Sequence, residues 1–224
     1  MKIEIKISKK PIEYNKAITF LENRLIKLKN NKANELIWIL EHPNTYTAGI
    51  SYSDNEILDK NIKIIKTSRG GKVTWHGPGQ KICYFVIDLN RRKKDIRKFI
   101  SILEKTIIET LKEYKIQSYS DKKNIGIWIN HDNQVKKVAA IGVRVKKWIA
   151  YHGFSININN NLNEYKKIIP CGIKDKSITN YIIITKMNYY PNRRNSHPLS
   201  ILLGFRSARE RHELKTLYTY KKIK

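Results

Sequence analysis

Polar and apolar residues alternate from Lys2 to Ile7, the period-two pattern of a strand with one buried face. From Ile12 to Leu28 the period lengthens, and Tyr14, Ala17, Ile18, Leu21, Leu25 and Leu28 fall on one helical face. Leu36 to Leu40 is a compact apolar strand that must end at Pro43, which cannot donate to a ladder. Ile62 to Ile65 and Ile82 to Leu89 read as two further strands with a glycine-rich loop between them. After Asp95, a plausible cap, Ile96, Phe99, Ile100, Leu103, Ile107 and Leu111 repeat at helical spacing and predict a second long helix.

Beyond that helix the pattern changes. Ile125–Ile129, Val138–Val145, Trp148–Tyr151 and Phe154–Ile158 are short strand-like runs joined by small polar or glycine turns. Strands in a meander with two long helices and no regular strand-helix repeat predict an α+β fold, with helices packed on a mainly antiparallel or mixed sheet. A chain of 224 residues with 41% hydrophobic content supports one sizeable core.

Composition changes this picture only a little. No run approaches the roughly 20 apolar residues of a membrane span, and the first residues carry no apolar signal core, so a cytoplasmic protein with no membrane span is expected. The net charge of +26 invites a nucleic-acid reading. Most of the basic residues are lysines accompanied by abundant Ile, Asn and Tyr, as AT-rich codon usage produces, and they are scattered. No helix-turn-helix, zinc-finger or aromatic RNA-binding signature accompanies them, so nucleic acid is not the expected partner. A basic surface favours encounter with an acidic protein. None of the six histidines has metal-ligand spacing, and no metal is expected.

Two cysteines are too few for a disulfide framework. Cys83 lies inside the apolar run Ile82–Val86 and reads as a small buried hydrophobe. Cys171 sits between Pro170 and Gly172, where an apolar segment breaks into a turn that can present a thiol. A nucleophilic thiol needs a nearby cation, and composition alone does not select one lysine among so many. The loop Arg69-Gly70-Gly71-Lys72-Val73-Thr74-Trp75-His76-Gly77-Pro78-Gly79-Gln80 lets backbone N–H groups approach a carbonyl or an acyl chain. It reads equally well as two tight turns around a short strand.

That loop, with Glu41-His42-Pro43, Lys137-Val138-Ala139-Ala140-Ile141-Gly142-x-Arg144, His152-Gly153-Phe154, Asn157 and Pro170-Cys171-Gly172-Ile173, resembles the ordered motifs of the lipoyl(octanoyl) transferases. The resemblance runs from about Leu36 to Thr179. It implies a fold similar to the catalytic domain of lipoate and biotin ligases, and no cofactor. The implied reaction moves an octanoyl or lipoyl group from acyl carrier protein to a lysine of a lipoyl domain. Acceptors would be the lipoyl domains of 2-oxoacid dehydrogenase complexes and the glycine cleavage H protein. Cys171 would carry the acyl group as a thioester, and Lys137 would lower the thiol pKa and later take the amine proton. Arg69, Gly70, Gly71, Lys72, Val73, Thr74, Trp75 and His76, with Ala140, Ile141, Gly142, Gly153, Phe154 and Ser155, would line the acyl site.

Near Asn180 the sequence departs from the family pattern. The rest has little periodicity and holds five of the chain's eleven arginines. Residues 1–180 are therefore expected to form the catalytic domain, and 181–224 an atypical basic segment, frameshifted or partly disordered. Two competing readings are an ATP-dependent lipoate ligase and a nucleic-acid-binding protein; a third is a decayed pseudoenzyme of the same fold.

Overall fold

The computed structural model describes residues 2–172 and 177–185. Among these, strands β1 (Ile3–Ile7), β2 (Glu35–Leu40), β3 (Thr45–Ala48), β4 (Ile64–Lys66), β5 (Val73–His76) and β6 (Gln80–Asp88) precede β7 (Tyr119–Ser120), β8 (Ile127–His131), β9 (Gln134–Lys146), β10 (Ile149–Asn157) and β11 (Ser177–Ile178). Helices α1 (Tyr14–Lys29), α2 (Ile96–Glu113) and α3 (Tyr181–Thr185) complete the described elements, with short 3-10 turns at 54–56, 89–91, 162–167 and 170–172.

The main sheet runs β1-β2-β6-β10-β9-β8-β7, with β11 added to β9. Only the β1–β2 and β9–β11 pairs in it are parallel. A smaller sheet, β4-β3-β5, stands beside it. The expected α+β architecture on a mixed, mainly antiparallel sheet is what forms.

Alternation along β6 explains the layers. Cys83, Phe85 and Ile87 join a core with Ile107 and Leu111 of α2. Ile82, Tyr84 and Val86 join a second core with Leu21 and Leu25 of α1. Successive side chains of a strand point to opposite faces, so the two helices cover opposite sides of one sheet. Each fully buried Leu or Ile contributes about 1.5–3 kcal/mol, and both helices depend on it. Helix α1 buries Tyr14, Ala17, Leu21, Leu25 and Leu28, the predicted face less Ile18, which is only half-buried. Helix α2 starts where predicted, since the Asp95 carboxylate accepts from the Lys98 N–H at 2.9 Å.

Two departures from the sequence reading have clear causes. His152-Gly153 does not turn the chain: Trp148–Tyr151 and Phe154–Ile158 merge into β10, while the real turn is Lys147-Trp148, both at positive φ (51° and 62°). Gly153 sits mid-strand because a Cβ there would lie 1.9 Å from the Cys83 carbonyl oxygen of β6. The second departure is at the C-terminal end of the described chain. Residues 181–185 form α3, with Tyr181 buried among Ile158, Ile116 and Leu111, so the packed structure continues past Asn180. The remainder of the segment expected to be atypical, 186–224, lies outside the described residues, as do 173–176.

Candidate active site

Strands β9 and β10 floor a cavity of about 740 Å³, a size within the roughly 300–1,000 Å³ of small-molecule sites. The glycine loop between β4 and β5 covers it. Gly70 presses on β9, where a Cβ would stand 2.9 Å from the Val143 carbonyl oxygen, and Gly142 faces the Gly70 carbonyl oxygen with only 3.4 Å for a Cβ. The absence of side chains at both positions therefore brings the loop onto the strand.

Arg69 holds that loop. Its guanidinium donates to the Thr47 hydroxyl (2.8 Å) and carbonyl (2.9 Å), to the Lys72 carbonyl (2.8 Å) and to the Gly70 carbonyl (3.1 Å). With so many donors engaged by β3 and by its own loop, this buried cation shapes the wall.

Lys137, on β9, is 3% exposed, yet it lines the cavity. It donates to the Ile125 carbonyl at 3.3 Å and lies 4.6 Å from the centre of the Trp128 ring. No carboxylate pairs with it among the described residues. Gly126, at φ +140°, makes room: a Cβ there would be 3.3 Å from Lys137 Nζ. Cys171 lies in the 3-10 turn Pro170–Gly172, and Gly172 lines the same cavity. Gly172 has φ +67°, a left-handed conformation that favours glycine. Cys83 is the buried hydrophobe expected, 7% exposed with its thiol pushed up to about 12 by burial, and it has no part in the site.

Two buried histidines, His76 and His152, line the cavity, and a third, His42, packs behind them against Tyr84 and His76. His42 donates from Nδ1 to the Ile12 carbonyl (2.6 Å) and accepts at Nε2 from the Tyr84 hydroxyl (2.8 Å). Nδ1 of His76 donates to Gln80 Oε1 at 2.6 Å, and the Gln80 amide in turn donates to Asn157 Oδ1 (2.9 Å) and Tyr165 Oη (2.8 Å). Both ring nitrogens of His152 are buried without a hydrogen-bond partner, on a residue at φ +67°. Burial above all lowers all three below the ordinary 6.5, to about 4 for His42 and about 3 for His76 and His152. Charge adds to burial at two of them: His42 and Arg69 act on His76, and Arg69 and Arg144 act on His152. At neutral pH these imidazoles are therefore neutral.

The expected lining residues Arg69 to Thr74, His76, Ala140, Ile141, Gly142, Gly153, Phe154 and Ser155 all reach this cavity. Trp75 does not. It is 1% exposed and packs edge-on against Tyr165 in the core of the small sheet, because alternation along β5 turns it away from its neighbours. The sequence reading missed Ile96 and Ile100 of α2, Tyr84 of β6, and Lys123 to Ile125 at the wall. Ile96 and Ile100 fit the helical core pattern, and nothing local separates a core-facing from a cavity-facing isoleucine.

Comparison with known proteins agrees with this arrangement. Residues 13–187 match the sequence model of the lipoyl protein ligase A/B catalytic domain. An octanoyltransferase of Wolbachia sp. subsp. Brugia malayi (strain TRS) is 44% identical over 178 residues, 79% of this chain and 87% of that protein. An octanoyltransferase of Ehrlichia ruminantium (strain Gardel) is 45% identical over 179 residues, 79% and 86% of the two chains. Among solved structures, the bipartite lipoate protein ligase of Thermoplasma acidophilum superposes with a TM-score of 0.67 at 12% identity, covering all of this chain and 87% of that one. A lipoate-protein ligase A bound with ATP gives 0.66 at 12% identity, with 100% and 89% covered. At that identity the structures speak for the fold alone, but the sequence matches go further: this chain belongs to the lipoyl protein ligase A/B catalytic domain family.

Proposed function

We propose that this chain is an octanoyltransferase of protein lipoylation that takes its acyl group from acyl carrier protein and passes it, through a thioester on Cys171, to a lysine of a lipoyl domain. The observation that carries the reading is the sharing of one cavity by Lys137, the turn bearing Cys171 and a largely apolar floor. Burying the seven carbons beyond an octanoyl carbonyl gains up to about 0.8 kcal/mol each, which favours a medium-length acyl chain there.

The chemistry balances without ATP. The resting pair is a Cys171 thiolate beside the Lys137 ammonium, the state that the second step restores. The thiolate attacks the donor thioester carbonyl, the carrier's thiolate leaves, and the ammonium protonates it. Lys137 is then a neutral amine, able to take the proton of the acceptor lysine as that lysine attacks the acyl-Cys171 carbonyl and expels the thiolate. Exchange of one thioester for another is close to balanced, and formation of the amide runs downhill. Backbone N–H groups of the glycine loop or of the Cys171 turn would stabilise the oxyanion.

Intact-protein mass spectrometry after mixing with octanoyl-acyl carrier protein, without ATP, tests this. An octanoyl adduct is expected on the native chain and not on Cys171→Ala, and it should vanish when a lipoyl domain is added. Lys137→Met should slow adduct formation by two orders of magnitude or more, at about 1.4 kcal/mol per tenfold. An adduct that persists in Cys171→Ala, or that needs ATP, would sink the thioester route and favour the ligase reading.

A further inference from the structure

The turn that carries Cys171 does not rest on the main sheet. The Ile169 N–H donates to the Glu56 carbonyl at 2.7 Å, Ile168 pairs with Ile57, and the N–H groups of Leu58 and Asp59 donate to the Lys167 carbonyl at 2.9 and 3.1 Å. The segment around the 54–56 turn is thus its platform. From that platform Glu56, 3% exposed, sends its carboxylate to Lys72 Nζ at 2.5 Å and to the Val73 N–H at 3.4 Å. Lys72 belongs to the glycine loop and lines the cavity.

The ion pair lies against the residue next to Cys171. A Cβ built on Gly172 would stand 2.6 Å from Lys72 Nζ and 2.9 Å from Glu56 Oε1. A side chain at 172 would have to displace the ends of Lys72 and Glu56, and both charges lie within a few ångströms of the Gly172 backbone. Other charged groups lining the cavity are Lys137 from β9, Arg69 from the loop and Lys123 from the segment before β8. Arg69 is turned toward carbonyls.

We propose that Lys72 and Glu56 form a positioning pair that clamps the Cys171 turn to the glycine loop and cancels, beside the thiol, the charge that either would impose alone. The inference rests on the reading of Cys171 as the acyl carrier. Because the two charges are adjacent and opposite, the intact pair changes the energy of a neighbouring thiolate little. Ionisation of Cys171 is left to Lys137, which has no carboxylate partner among the described residues. Removing either member of the pair uncovers the other. Glu56 left alone is a buried anion that opposes the thiolate, whereas Lys72 left alone is a cation that favours it. The two single variants must therefore move the thiol in opposite directions, a pattern that mere loosening of the turn does not produce.

The pH dependence of Cys171 alkylation by iodoacetamide, read by mass spectrometry on the full chain, tests this. Cys83 is buried and does not compete, and Cys171→Ala gives the blank. Lys72→Met should raise the midpoint by about half a unit or more and Glu56→Gln should lower it by a similar amount. The double variant should return to within a few tenths of the native value, and Lys72→Arg should leave it unmoved. If both single variants shift the midpoint the same way, or neither does while the thermal melt is native-like, the proposal is wrong. Should Glu56→Gln fail to fold, Lys72→Met against Lys72→Arg still decides it, since equal midpoints overturn the charge cancellation. The octanoyl adduct on Cys171→Ala tests the acyl-carrier reading separately, because the alkylation midpoint reports the pair's effect on the thiol whether or not that thiol takes an acyl group.

Discussion

The three buried histidines set the protein's response to acid. Each has its folded pKa below the ordinary 6.5, at about 4 for His42 and about 3 for His76 and His152, because burial disfavours the imidazolium. Between those values and 6.5 the unfolded chain binds more protons than the folded one, so stability falls as pH falls. The contribution is complete above pH 6.5 and is lost steadily from there down to about pH 3–4, at up to about 1.4 kcal/mol per pH unit per histidine. The melting temperature should therefore drop steeply between pH 6 and 4.5. His152→Gln should flatten that slope, since the glutamine cannot be protonated there; an unchanged slope would show that His152 titrates normally. The variant also speaks to the cavity. An unpartnered buried histidine costs free energy that a hydrogen-bonded one does not, and His152 bears that cost in the wall of the cavity.

At the scale of elements, close approach of backbones governs the site. Gly153 lets β10 lie against β6, and Gly172 admits the Lys72–Glu56 pair. Gly153→Ala would drive a methyl into the Cys83 carbonyl, a backbone atom that cannot swing aside, and overpacking of this kind costs about 1–3 kcal/mol or more. A fall in urea midpoint is expected, together with loss of the octanoyl adduct; a variant as stable as the native chain would mean that β10 can slide from β6. The same elements show what the sequence made legible. Periodicity found α1, β2, β6 and α2 nearly to the residue, because each has one buried face whose spacing is written locally. The motif series grouped Lys137, the glycine loop and the Cys171 turn because they fall in fixed order, and Lys137, the loop and Gly172 of that turn line one cavity. His152-Gly153 read as a turn because glycine often marks one, and only the neighbouring strand reveals why glycine is needed there. Trp75 read as lining because it sits in the loop motif, whereas strand alternation, visible only once β5 is placed, sends it into the core. Ile96, Ile100 and Tyr84 reach the cavity by tertiary placement, which no local pattern records.

For the whole molecule, the net charge of +26 is the property that fold and site leave unexplained. Charge of one sign on this scale steers oppositely charged partners and accelerates their encounter, an effect that falls as salt shortens the screening length to about 8 Å at physiological ionic strength. An acidic carrier that presents its acyl group at the cavity mouth would meet Lys123 on the wall, close to the apolar floor on which the chain must settle. The two kinds of contact respond differently to salt. Raising ionic strength from about 50 to 500 mM should lower kcat/KM for octanoyl-acyl carrier protein about tenfold or more, mainly through association, while the single-turnover rate from a saturated complex changes little. Lys123→Glu should reproduce part of that loss at low salt and remove part of the salt dependence. Octanoyl groups on a small neutral thiol should show no such sensitivity, which separates steering from a general effect of salt on the enzyme. If kcat/KM for the carrier is flat across that range, the charge has no role in bringing donor and enzyme together. A second measurement then decides whether it serves another ligand: salt-sensitive binding of duplex or single-stranded nucleic acid that survives Cys171→Ala would assign the basic surface to that partner, and its absence would leave codon bias as the origin of the lysines.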